Sequence, residues 1–160
     1  VIGNNNFDKL VTTTINFTDT DPGANLETAI AAIQGEERDI NGMILSPIFT
    51  SAMAKRRVNG VKEYPEFSFG QAPETLSGLN VDSNVTVSAK QSKDRAIVGD
   101  FETMFKWGYS QEIRMEIIEY GDPDNTGKDL KGHNQIYIRC EAYIAYVILD
   151  EKSFARIVQE

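Results

Sequence analysis

The segment from Gly121 to Gly132, GDPDNTGKDLKG, gathers the side chains best suited to chemistry. Asp122, Asp124, Thr126 and Gly127 fit positions one, three, five and six of a twelve-residue calcium loop. The twelfth position of such a loop carries a bidentate Glu, whereas here it holds His133. Pro123 also stiffens a place where the loop needs freedom, and the flanks read as strands rather than helices. The segment is therefore expected to be a polar hairpin loop. His133 is the only histidine and Cys140 the only cysteine. A catalytic imidazole needs a nucleophile and an orienting acid, and zinc normally takes several His or Cys ligands. Neither set can be assembled, so His133 is expected to hydrogen-bond within its loop. Cys140 shares strand parity with Ile136, Ile138 and Ile144 and is expected to be a small buried hydrophobe. No GxSxG, HExxH, CxxC or Walker-type phosphate loop occurs. No catalytic, cofactor-binding or metal-binding residue is assigned.

Two charged groups remain. Lys55, Arg56 and Arg57 form the one basic cluster, expected in the last turn of a helix, where cations complement the negative end of its dipole. The other use for such a cluster is an anionic partner, for example an acidic neighbouring subunit. Asp19 and Asp21 beside Pro22-Gly23 read as turn formers rather than a metal clamp.

The elements that would position these groups are mostly strands. Gln111 to Tyr120 alternates Ile113, Met115 and Ile117 with Glu112, Arg114 and Glu116, the period-two pattern of a strand with one wet face. Asn134 to Leu149, NQIYIRCEAYIAYVIL, is rich in Ile, Val and Tyr and lacks Pro and Gly, so it predicts a second, longer strand. If unbroken it would span roughly 50 Å. A globule of this size has a diameter of only about 40 Å. A ribbon that outruns its own globule suggests a tile covered by neighbours.

Upstream, Val11 to Phe17 predicts a short strand. Asn25 predicts a helix N-cap, with Leu26, Ala29, Ile30 and Ile33 as the buried stripe and Gly35 as the end. Met43 to Leu45 predicts a buried strand. Ser46-Pro47 predicts the start of a second helix that turns Ile48, Phe49, Ala52 and Met53 inward and stops at Asn59-Gly60. Residues 60 to 77 read as a long surface loop. Strands are predicted at Gly78 to Val81, Val85 to Ala89, Arg95 to Val98 and Phe101 to Trp107, with a turn at Gly99-Asp100. Asp150 is expected to cap a closing helix with Phe154, Ile157 and Val158 inward.

Composition bounds the function classes. The chain has 160 residues, 41% hydrophobic and 25% charged, ordinary values for a globular domain. Its net charge of −8 divides evenly, −4 over residues 1–100 and −4 over residues 101–160. With no basic stripe, tight binding to phosphate backbones is not its main task. No apolar stretch approaches the ~20 residues of a membrane span, and no signal peptide is visible. The chain starts at Val1, which reads as a processed or trimmed product. Two aromatic groups are candidates for subunit contacts: Phe105, Trp107 and Tyr109 along one strand, where packing of the local core is the ordinary use, and Tyr64, Phe67 and Phe69 in a loop with little local core.

The order of these pieces resembles the major capsid protein of tailed bacteriophages. The helix Asn25 to Ile33 is similar to the family's early "ddl..ai..i" segment, and Met43-Ile44-Leu45-Ser46-Pro47 to its strand-to-helix step. Gly78-Leu79-Asn80-Val81 resembles its "l.G.pV" strand, and Ala96 to Phe101 its "a..GDf" turn, the most specific element. Ile136 to Phe154 resembles its final strand, with Asp150 to Ile157 as the "p.Af..i" ending. The resemblance implies an α+β capsid fold: a connecting segment at 1–19, an axial domain at 20–100, and at 101–160 the C-terminal part of a strand-rich peripheral domain. It implies a structural subunit, not an enzyme. It would assemble with copies of itself into hexamers and pentamers, close to packaged DNA without specific binding. It would need no cofactor, small-molecule substrate or membrane, and would reside in a virion capsid after synthesis in the bacterial cytoplasm. The family's N-terminal arm, spine helix and extended hairpin would lie before Val1, so no cross-linking residue is carried over. An encapsulin-like nanocompartment shell is the related alternative, and a soluble hydrolase or metal-binding module the unrelated one.

Overall fold

A computed structural model describes residues 14–88, 93–110 and 112–159. Residues 11–13 of the first predicted strand, Ala89 and Gln111 lie outside them. The chain divides into two compact units, one holding residues up to Lys106 and from Val147 onward, the other Trp107–Tyr146.

In the first unit β1 (Thr14–Asn16) leads to α1 (Pro22–Gly35). The N-cap of α1 is Asp21, whose carboxylate accepts from Ala24 N–H, and Pro22 takes the first helical turn, where a missing N–H does no harm. Asp21-Pro22-Gly23 is thus a helix start rather than a turn, and Asn25 is not the cap. Asn25 is buried inside the helix. Its amide oxygen accepts from Thr18 N–H at 2.9 Å, and its Nδ2 donates to the Asn16 carbonyl at 3.2 Å, tying β1 to the helix. Leu26, Ala29 and Ile33 are buried as the stripe predicts. β2 (Gly42–Leu45) and α2 (Pro47–Lys55) follow, with Ser46 Oγ accepting from Phe49 N–H as N-cap. Phe49, Ala52 and Met53 face inward, but Ile48 is exposed.

α2 ends at Lys55, before the predicted Asn59-Gly60. That pair instead turns a small hairpin of β3 (Arg57–Val58) and β4 (Val61–Lys62), with φ of 50° and 80°. Asn-Gly suits a turn with two left-handed residues. The hairpin splits the basic cluster. Lys55 ends the helix, Arg57 lies in β3, and Arg56 pairs with Glu63 at 2.7 Å and donates to the Thr20 carbonyl.

The next strands are β5 (Thr75–Leu76), β6 (Leu79–Ser83) and β7 (Asp94–Gly99), while Val85–Ser88 forms a 3-10 turn in place of the predicted strand. Residues 100–104 form a turn, so the strand predicted from Phe101 begins only at β8 (Phe105–Tyr109). The second unit carries β9 (Arg114–Ile118) and β10 (Tyr137–Glu141), and the chain continues through β11 (Ile144–Ile148). The sixteen-residue run is therefore broken at Ala142-Tyr143. β8 and β11 pair with each other.

The predicted closing helix is a strand, β12 (Phe154–Val158), preceded by a 3-10 turn that Asp150 caps. Residues 147–159 consequently belong with the first unit. β12 lies inside a six-stranded sheet in the order β1-β12-β7-β2-β6-β5. It runs parallel to β1 and antiparallel to β7, and its Arg156 holds Asp94 of β7 at 2.7 Å in a nearly dry ion pair. Met43, Leu45, Ala96, Val98, Ala155 and Ile157 alternate onto one face, where they close a core with the stripes of α1 and α2. Phe154 and Ile148 form a smaller core with Phe101, Met104 and Phe105.

The Gly99-Asp100-Phe101 turn joins these layers. A side chain on Gly99 would collide with the Phe154 ring and the Ser153 carbonyl, so the close approach requires glycine. Asp100 is buried and accepts from Thr103 N–H, the Thr103 hydroxyl and the Asn41 amide, while Asn41 Oδ1 accepts from Phe101 N–H. Burial favours the neutral acid, but these hydrogen bonds together outweigh it and hold the carboxyl below its ordinary value.

Candidate functional site

Among the described residues no group of three His, Cys, Asp or Glu side chains is placed to hold a metal ion. No helix among them is long and apolar enough to cross a membrane. The Gly121–His133 loop turns its polar groups on itself. Asp122 accepts from Gly127 N–H at 2.6 Å and Thr126 N–H at 3.0 Å, and Asp129 accepts from the N–H groups of Gly121 and Gly132. Loss of solvent raises the Asp122 carboxyl pKa, but the hydrogen bonds outweigh it and lower the value overall. His133 Nδ1 lies 2.9 Å from the Asp129 carbonyl, the local role its sequence context suggests.

The surface that stands out is apolar, and it belongs to the second unit. β9 and β10 form an antiparallel ribbon in which Ile138 faces Ile117 and Cys140 faces Met115. Opposed residues share a face, and parity adds Ile113 and Ile136 to the same rows. That face lies open: Met115 is 68% exposed, Ile117 56% and Ile138 55%. Cys140 is exposed with them. The parity assigned to Cys140 holds with Ile138 but not with Ile144, which lies in β11 beyond the break, and the expected burial is wrong because no described residue of the second unit covers this face. The reverse face is charged. Arg139 opposes Glu116, Glu141 opposes Arg114, and Arg139 pairs along its strand with Glu141.

An isolated two-stranded ribbon is marginal in water. In this unit Leu130 is the one buried hydrophobic among the described residues. Full burial of an Ile or Met contributes about 1.5–3 kcal/mol. More than half of each side chain quoted above still meets water, so roughly half that gain per residue is unrealised within this chain. Contiguous exposed apolar surface of this kind marks an interaction site in native proteins.

The six aromatic residues singled out in the sequence divide sharply. Phe67 is fully buried in the first unit's core with Phe49, where the sequence reading expected an exposed ring. Its segment has no core of its own because it lends this ring to α2. Tyr64 tucks against the start of α1, where its hydroxyl leaves no room for a side chain on Gly23. Burial raises the pKa of that phenol, and Glu63 and Asp21 raise it further. Phe105 is half-buried in the smaller core. Trp107 and Tyr109 remain open, 62% and 50% exposed, with their rings edge to face at 5.6 Å.

Phe69 is the outlier. It is 98% exposed at φ 55°, ψ 28°, and the Lys62 ammonium lies 5.7 Å from the ring centre. Left-handed backbone at a bulky residue costs about 1–2 kcal/mol. An exposed cation–π contact returns about 0.5–1 kcal/mol. The sequence marks these rings by type alone; their exposure follows from tertiary packing.

No family model and no curated protein matches this chain. Solved structures do. A chain from Mycobacterium phage Ogopogo superposes with a TM-score of 0.80 at 28% identity, over 95% of this chain and 56% of that one. A chain from Gordonia phage Cozz gives 0.79 at 24% identity, over 94% and 51%, and one from Mycobacterium phage Bobi gives 0.69 at 19%, over 92% and 50%. This chain thus spans about half the length of the structures it matches.

Proposed function

From a fold shared with phage major capsid proteins, we propose that this chain is the axial and partial peripheral portion of a capsid subunit, whose work is to associate with copies of itself. The observation that carries the reading is the apolar β9–β10 face, left uncovered in a chain whose fold matches phage particle chains at a TM-score of 0.80. The axial domain, expected at 20–100, then also takes in residues 101–106 and those from 147 onward, and the ribbon unit, rather than all of 101–160, is the part of the peripheral domain that meets neighbours.

Association supplies the mechanism: repeated modest contacts close a symmetric shell, and no catalytic step is needed. A net charge of −8 lets such a wall face packaged DNA without adhering to it. The location is accordingly the virion capsid. Electron microscopy of the full-length protein, produced alone, tests the reading. Capsomers or closed shells are the expected product; dispersed monomers at high concentration would remove it.

A further inference from the structure

We propose that Asn59 is a self-modifying site: its side-chain amide is lost to attack by the backbone nitrogen of Gly60, while the same dipeptide at Asn41-Gly42 stays intact. The sequence holds Asn-Gly at these two places. The fold treats them oppositely.

The reaction needs the chain and water alone. Once its proton is lost, the Gly60 nitrogen forms a bond to Cγ of Asn59, the Cγ–Nδ2 bond breaks, and ammonia leaves with that proton. Water then opens the five-membered succinimide at one of its two carbonyls, giving aspartate or isoaspartate. Nothing is oxidised or reduced. Glycine favours the step, because no side chain stands beside the attacking nitrogen and its backbone moves freely.

Asn59 and Gly60 are exposed at the tip of the β3–β4 hairpin, and a side chain built on Gly60 would meet open space. Among the described residues no hydrogen bond holds the Asn59 amide. The left-handed turn slows the step, since the backbone must swing before nitrogen and Cγ align. Two residue pairs hold the hairpin, Arg57 with Lys62 and Val58 with Val61, above a base closed by Arg56 and Glu63. So short a ribbon is marginal in water and opens readily.

Asn41 is locked. Its Nδ2 donates to Asp100, and its Oδ1 accepts from Phe101 N–H at 2.9 Å. Gly42 is buried in β2, paired with Asn80 of β6 on one side and Gly99 of β7 on the other. Attack there would take apart the middle of the six-stranded sheet and strand the Asp100 carboxylate.

The two products differ in consequence. Aspartate tolerates left-handed backbone much as asparagine does, so the hairpin survives with one more negative charge. Isoaspartate routes the main chain through the side chain and lengthens a two-residue turn, which no longer closes in register. At the hairpin base Arg56 donates to the Thr20 carbonyl and lies 3.6 Å from Asp21, the N-cap of α1. Ageing of Asn59 therefore loosens a brace on the first helix.

The full-length protein, aged in mildly alkaline buffer and mapped by peptide mass spectrometry, tests this. Asn59 should convert at least tenfold faster than Asn41, at a rate that rises with pH because the attacking nitrogen must lose its proton. In guanidinium chloride the two should convert alike, and faster than Asn59 does in the folded protein. Asn59→Gly keeps the left-handed turn and removes the amide. It should hold its melting temperature through the ageing that lowers that of wild type. An intact Asn59, or equal conversion of both sites in the folded protein, would overturn the proposal. A difference that persisted in guanidinium chloride would assign it to local sequence and remove the fold as its cause. Equal loss of melting temperature by Asn59→Gly and wild type would overturn the link to α1.

Discussion

The two units use the same kind of strand to opposite ends. In the first, β2, β7 and β12 alternate Met43, Leu45, Val98 and Ile157 onto a face that α1 and α2 cover, and each of these side chains is nearly or fully buried. In the second, β9 and β10 alternate Met115, Ile117 and Ile138 just as regularly, yet each is more than half exposed. The side chains are similar in size and hydropathy. What separates the units is whether the chain supplies a second layer. The first unit is held by its own core, and the second leaves an equivalent surface exposed.

The largest test of this contrast is a cavity in the covered unit. Phe49→Ala should lower the unfolding free energy by about 3–5 kcal/mol in urea titration. A loss below 1 kcal/mol would mean that the α2 core does not carry the fold.

Next in size is Asp100, which bridges Asn41 and the Thr103 turn. Asp100→Ala strands buried partners and should cost about 2–3 kcal/mol. The same carboxylate sets a pH dependence. Its folded pKa is depressed, so its contribution is complete above the ordinary carboxylate value of about 3.9 and is lost as pH falls through the folded value. Asp150 acts in the same direction, chiefly through its hydrogen bond from Arg38. Stability should therefore be flat in these terms at neutral pH and fall below about pH 4. Asp100→Asn should flatten that acid limb, and an unchanged limb would detach Asp100 from it.

The smallest expected effect on folding falls in the ribbon. Ile117→Ser with Ile138→Ser, a facing pair already nearly half covered, should cost about 1–2 kcal/mol of subunit stability. Assembly of the full-length protein should meanwhile need at least tenfold more subunit. A large loss of stability with normal assembly would invert the comparison.

The same contrast explains how far the sequence could be read. The stripe of α1, the Ser46-Pro47 start of α2 and the alternation in β9 are local patterns and come through directly. β12 is misleading because Phe154, Ala155 and Ile157 are all buried, so the strand lacks the wet face that would show period two. Asn25 reads as a cap by type, whereas its use is tertiary, bracing the end of β1. Phe67 and Phe69, two residues apart, end fully buried and 98% exposed, and composition cannot separate them. For Cys140, parity identifies the row but not whether a layer covers it.

The placement of β12 also orders events during synthesis. Thr14 in β1 pairs with Arg156 in β12, so the sheet cannot be completed until the ribosome has passed the ribbon. Such a distant pairing closes slowly. The oily strands β9 and β10 thus leave the exit tunnel before their own subunit has a finished sheet. Throughout that interval a nascent chain is prone to clump with its neighbours, and a holdase chaperone has something to bind.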